Sequence, residues 1–249
     1  MVQPAYLHTA APVGLAVAFG AITLGTVLWF WLAVRRAAPK AAGAVLLGLA
    51  AWLAVQAGLA VQGFYQELAP RPPRLLLFAI LPTLLVMGAL FATKPGRRFL
   101  DALPLGHLTY LNVVRVPVEL VLYGLFLAGQ VPQLMTFEGR NWDIVAGLTA
   151  PLVGFWGFTH PRISRSALLI WHVVALALLL NIVAWAILSS PMPLQQVAFE
   201  QPNVAILKFP FVWLPAVVVP IVLLGHLVAI RQLARVQMTL PGYAGKAVA

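Results

Sequence analysis

The sequence predicts an all-α polytopic integral membrane protein, a bundle of seven transmembrane helices with the N-terminus outside and the C-terminus cytoplasmic. Three observations carry that reading. Of 249 residues, 62% are hydrophobic and 9% charged, with a mean hydropathy of +0.94, whereas soluble domains carry about 25% charged residues. Seven apolar stretches reach or approach the roughly 20 residues that a helix needs to cross the hydrocarbon layer. Basic residues concentrate in alternate loops between those stretches, the pattern that orients membrane helices.

The first stretch, 11–34, has no Lys or Arg before it and is too long for the apolar core of a secretion signal, so it is expected to stay as a spanning helix. It is rich in small residues, with Ala16 four before Gly20 and Ala21 four before Gly25, a spacing that lets helix backbones approach closely. The following spans are placed near 42–64, 75–93, 105–129, 143–159, 166–188 and 210–230. The fifth is the shortest, and Trp142 and Trp156 at its ends suit an interfacial aromatic belt.

Arg35, Arg36 and Lys40, then Lys94, Arg97 and Arg98, then Arg162 and Arg165, and finally Arg231, Arg235 and Lys246 fall on one side. The opposite loops hold Arg71, Arg74, Arg140 and Lys208, with Glu67, Glu138, Asp143 and Glu200 among them. The excess of positive charge assigns the first set to the cytoplasm. The longest outer linker, 189–209, contains prolines at 191, 193 and 202 that oppose a continuous helix. It is expected to lie on the membrane surface or to cap the bundle. The chain reads as one transmembrane domain, 1–249, ending in a mobile cytoplasmic tail at 237–249.

Lys and Arg number 16 against six Asp and Glu. In a membrane protein that excess meets anionic lipid head groups, so the bilayer is the expected partner and nucleic acid is not implied. A membrane-protein partner or a second copy of the chain is a further expected companion. The cell (inner) membrane is the expected location. The absence of cysteine removes disulfides, thiolate metal sites and a cysteine nucleophile. There is no P-loop, no GxSxG elbow and no Gly-rich dinucleotide fingerprint, so a non-enzymatic role is expected. Lys40, Lys94, Lys208 and Lys246 all lie outside the spans, and no retinal Schiff base is expected.

The fourth span holds the most informative stretch, HLTYLNVVRVPVELVLY from His107 to Tyr123. His107, Arg115, Glu119 and Tyr123 recur at multiples of four and share one helix face. Pro117 cannot donate to the Val113 carbonyl, so a bend and a freed acceptor fall beside the two charges. Charges at bilayer depth cost a few kcal/mol each on insertion scales and persist where they pair, meet water or serve a function. The bland alternative is a self-neutralising Arg115–Glu119 pair at i, i+4. If the site moves protons, Glu119 is the titrating member, because arginine stays protonated.

Depth along the helices brings Gln56 and Asn181 near Glu119, and these side chains are expected to line a polar cavity open to the outside. Glu138 and Arg140, in the segment FEGRNWD, would form a recognition loop at its mouth, with Asn141 capping the fifth span. A second pattern is His107, His172 and His226, on three helices at similar depth, which could hold zinc or contribute axial ligands to a haem. The leading expectation is binding or translocation of a small polar or amphipathic ligand through a cavity around Arg115, Glu119 and Tyr123. The alternatives are a membrane enzyme or a haem or metal protein using the histidines, and a non-catalytic receptor or assembly subunit.

Overall fold

A computed structural model of the protein describes residues 7–238. Among these there are helices and connecting loops and no strands. The α-helices are α1 (Val13–Ala37), α2 (Pro39–Val61), α3 (Leu81–Ala92), α4 (Lys94–Ala102), α5 (Leu105–Leu111), α6 (Arg115–Leu127), α7 (Asp143–Gly154), α8 (Arg165–Ser189) and α9 (Val219–Met238). The expected tail falls outside the described residues, except that 237 and 238 complete α9.

Five spans are long and apolar enough to cross a membrane, namely α1, α2, α5 with α6, α8, and the segment Leu214–Arg235. That is the composition of a multi-pass integral membrane protein. A sixth forms if Leu76–Ala92 is counted with α4, which is bent from it by 93°. The remaining expected span, Asp143–Thr159, is apolar but shorter. Side chains such as Val17, Leu47, Val61 and Leu85 are more than three-fifths exposed, which suits contact with lipid tails.

The last span lies at the centre: 56% of its apolar window is buried, against 17% for α2. It packs on α5 and α8 and meets α3 and α4 at one end. The chain then arranges its proline breaks around it. Pro82 has no N–H for the Phe78 carbonyl, and that oxygen instead accepts from Gln56 Nε2 at 3.0 Å. Pro220 likewise frees the Ala216 carbonyl, which accepts from Trp52 Nε1 at 3.1 Å. Each proline follows a π-helical turn, Leu76–Ile80 and Leu214–Val218, a geometry that widens the helix locally. Side chains of α2 therefore satisfy the backbone that two prolines leave open, and this holds α2 against both partners.

In the fourth span, which runs Leu105–Leu127, a 3₁₀ turn at Asn112–Val114 separates α5 from α6 just before Pro117. Asn112 Nδ2 donates to the Leu108 and Thr109 carbonyls across that break. The linker 189–209 caps the bundle: Val204, Ala205, Ile206 and Leu207 are buried, and the amides of Val204 and Ala205 donate to the Gln130 carbonyl. The small residues of α1 are not where helices meet closely, since an added Cβ at Gly20 or Gly25 touches nothing within 4 Å. The close approach occurs at Gly147 of α7, where a Cβ would lie 3.0 Å from the Val116 nitrogen and 3.1 Å from Arg115 Cβ.

Candidate functional site

The α6–α7 contact at Gly147 brings Arg115 onto the start of α7. Arg115 Nη1 lies 3.2 Å from Asp143 Oδ1, and both side chains are buried. The bland alternative, an Arg115–Glu119 pair, gives way to another: the arginine's ion-pair partner comes from the next helix. Its Nη1 and Nη2 donate to the Ala175 carbonyl of α8 at 3.1 Å each. Those donors aim at the carbonyl, which leaves Asp143 Oδ1 in Coulombic contact without an aligned hydrogen bond.

From Arg115 a line of polar groups runs toward the basic end. Arg115 Nη2 contacts His226 Nε2 at 3.1 Å, His226 Nδ1 contacts His172 Nδ1 at 3.0 Å, and His172 Nε2 contacts Thr109 Oγ1 at 3.2 Å. The proton positions follow from chemistry. A guanidinium only donates, so His226 Nε2 accepts and its Nδ1 carries the hydrogen. That hydrogen is given to His172 Nδ1, leaving His172 protonated at Nε2, which donates to Thr109. The threonine hydroxyl in turn donates to the Leu105 carbonyl at 3.0 Å. One assignment of neutral tautomers satisfies every contact.

Toward the other end the line continues through Asn141. Its Oδ1 accepts from the Asp143 amide at 3.0 Å, and its Nδ2 donates to the Met135 carbonyl and to Glu119 Oε1. Asn141 thus supports the start of α7, as expected of a capping residue, while Trp142 occupies the cap position itself. Its amide also holds the glutamate. Glu119 is 1% and Arg115 3% exposed. Buried polar atoms left without a hydrogen bond, among the described residues, are Asn112 Oδ1, Arg115 Nε, Glu119 Oε2, Asp143 Oδ1 and Asn203 Oδ1. Three of the five, on Arg115, Glu119 and Asp143, belong to this seam.

The other expected site residues separate from it. His107 meets Arg36 through its ring and receives Trp29 Nε1 at its carbonyl, so it does not join His172 and His226. No group of three His, Cys, Asp or Glu able to hold a metal gathers among the described residues. The two Nδ1 atoms in direct contact leave no gap for a porphyrin plane between the rings. Gln56 belongs to the Tyr65–Phe78 contact described above, with Tyr65 donating to its Oε1 at 2.6 Å. Asn181 donates to the Arg140 carbonyl and accepts from Trp185, and Arg140 lies over the Trp185 ring. Tyr123 is half-buried with its ring 5.0 Å from Phe137, beside exposed Glu138. Among the described contacts, none of Gln56, Asn181, Arg140, Tyr123 and Glu138 meets Glu119, whose side chain is held by Asn141. The large cavity, about 460 Å³, is apolar and lies between α1, α2, α3 and the last span.

A second buried polar cluster caps the opposite end from the basic helix termini. Lys208 Nζ donates to the Thr9 carbonyl and to Gln130 Oε1, and Gln130 Nε2 donates to Thr9 Oγ1. Burial pulls the lysine down to about 8.

Asp143, Asn141 and Thr109 are the seam residues that sequence reasoning passed over or assigned only to helix capping. The shortness of the fifth span was the signal that could have found the first two. A helix with too few residues to cross the layer starts below the surface, so its first carboxylate is buried. No family model matches the chain, and neither the curated proteins nor the solved structures give a match.

Proposed function

We propose that this is a seven-span protein of the cell membrane, N-terminus outside, that translocates protons through the buried seam, with Glu119 and the His226–His172 pair as the proton-holding groups on either side of Arg115, whose charge stays fixed. The observation that carries this reading is a run of buried polar contacts: Glu119 with Asn141, Asn141 with the Asp143 backbone amide, the Asp143–Arg115 ion pair, and Arg115–His226–His172–Thr109. Glu119 and Thr109 are ten residues apart on one span, about 15 Å of helix, or half of the roughly 30 Å hydrocarbon layer. The small species that such a buried seam serves best is a proton, in place of a larger polar ligand.

Charge counting places the proton. Glu119 and Asp143 bring two carboxylates, Arg115 one positive charge, and both histidines are neutral in the tautomers above. A net buried negative charge is costly, so one carboxyl holds a hydrogen. Asp143 has the guanidinium beside it, whereas Glu119 has an amide and an unpartnered Oε2. Glu119 is the carrier, and in the imidazole pair the mobile hydrogen is the one shared between the two Nδ1 atoms, because Arg115 holds His226 Nε2 as an acceptor.

The test is purified protein in liposomes loaded with a pH-sensitive dye, under an imposed potential. Wild type should acidify or alkalinise the lumen and Glu119→Gln should not; equal flux from both would overturn the reading. Topology is directly testable because the chain has no cysteine. Single substitutions Arg71→Cys and Arg98→Cys should label from opposite sides of a sealed vesicle, and labelling from the same side would contradict the seven-span arrangement.

A further inference from the structure

The apolar cavity shares no lining residue with the polar seam and has its own chemistry. Its volume, about 460 Å³, is within the range of small-ligand pockets. Phe30, Trp52, Met87, Phe99 and Leu224 line it, and its one polar side chain, Thr83, is engaged with its own helix through the Ala79 and Ile80 carbonyls. Trp52 has its indole N–H committed to Ala216. An occupant therefore finds no hydrogen-bonding side chain along the walls and must be apolar over its length. Gly48 and Val86, also in the lining, are exposed on the lipid-facing side of α2 and α3, so entry is from the bilayer.

The basic end of this cavity is closed by α4, which turns back at 93° beneath α3. Gly96 permits that fold, since a Cβ there would come within 2.6 Å of the Leu90 Cα. Phe99 of α4 contributes to the cavity wall, while Lys94 and Arg98 of the same short helix are exposed. Arg97 is directed at the end of α3, donating to the Phe91 and Ala92 carbonyls, and Asp101 is taken by Arg231 and Arg235. The charge that α4 offers outward is positive.

We infer that this cavity binds one acyl chain of an anionic phospholipid whose phosphate is held by Lys94 and Arg98 at the basic end of α4. An apolar chain-length slot beside two cations is the complement of an anionic lipid, and basic surfaces at that membrane face recognise such head groups. The site shares no residue with the seam, so its failure leaves the proton reading intact.

The experiment is native mass spectrometry of the full chain released from nanodiscs of mixed phosphatidylcholine and phosphatidylglycerol. Wild type should retain one phospholipid, with phosphatidylglycerol enriched by about tenfold. Gly48→Phe fills the cavity from a position where an added Cβ meets nothing within 4 Å, and it should lose the lipid while keeping its melting transition. Val86→Phe from the facing helix should do the same and serves where Gly48→Phe does not fold. Lys94→Gln with Arg98→Gln should keep a lipid but lose the preference for the anionic one. Retention of both lipids alike by wild type, no retained lipid, or an unchanged lipid in the filled variants would overturn the inference.

Discussion

Arg115 of α6 and Asp143 of α7 meet at 3.2 Å inside the bundle, and this contact between neighbouring helices takes the place of a pair within one helix. The arginine is thereby fixed between α7, the Ala175 carbonyl of α8 and His226 of α9. One side chain ties four helices together and orders the protons of two imidazoles.

Removing one member of that pair should be far worse than removing both. Asp143→Asn leaves the guanidinium buried without its counter-charge, a loss of about 3–5 kcal/mol for buried pairs of this kind. Arg115→Met combined with Asp143→Leu removes both charges and should unfold at higher denaturant than the single variant. Denaturation in mixed micelles measures the difference; a double variant no more stable than Asp143→Asn would contradict the pairing.

Gly147 should be intolerant where Gly20 is not. Gly147→Ala presses a methyl group on the Val116 backbone nitrogen and Arg115 Cβ, with a cost of about 1–3 kcal/mol for overpacking. Gly20→Ala meets nothing and should stay within about 0.5 kcal/mol of wild type. Paired melting curves decide it, and equal shifts would mean that α7 does not approach α6 as described.

The proline-freed carbonyl at Phe78 makes Gln56 a structural residue. Gln56→Leu strands both that carbonyl and the Tyr65 hydroxyl, and each unsatisfied buried group costs about 1–3 kcal/mol. Tyr65→Phe removes only the hydroxyl and should cost less. Melting temperatures in the order wild type, Tyr65→Phe, Gln56→Leu are expected, and a Gln56→Leu variant as stable as wild type would contradict the assignment.

Lys208 gives a pH signature outside the spans. Burial lowers its folded value from 10.5 to about 8, so between those pH values the unfolded chain binds more protons than the folded one. Stability contributed by this site therefore rises with pH across that window. The melting temperature of wild type minus that of Lys208→Met should increase from pH 8 to pH 10. A flat or falling difference would contradict burial of the lysine.

Composition and hydropathy made the membrane helices legible, and the 3₁₀ turn at Asn112–Val114 falls just before Pro117. Arg115 and Glu119 were legible as buried charges because nothing else in that span is charged. Their partners were not, because Asp143, His172 and His226 lie on separate helices whose rotation depends on packing. Four-residue spacing favoured Glu119 as the partner of Arg115, but the arginine side chain reaches the adjoining helix once Gly147 allows α7 close. The histidines divided for the same reason: similar depth placed His107 with the others, but it faces Arg36 on α1 while His172 and His226 face each other. Gln56 and Asn181 do not meet Glu119, because both amides are taken by carbonyls and side chains of other residues.

Proton flux through His226→Phe measures the imidazole relay most directly. That substitution keeps an aromatic ring beside Trp171 and His172 but removes both nitrogens from the line between Arg115 and His172. In dye-loaded liposomes under an imposed potential, flux should fall to that of empty vesicles while the protein remains folded by its melting transition. Wild-type flux from a folded His226→Phe protein would contradict it.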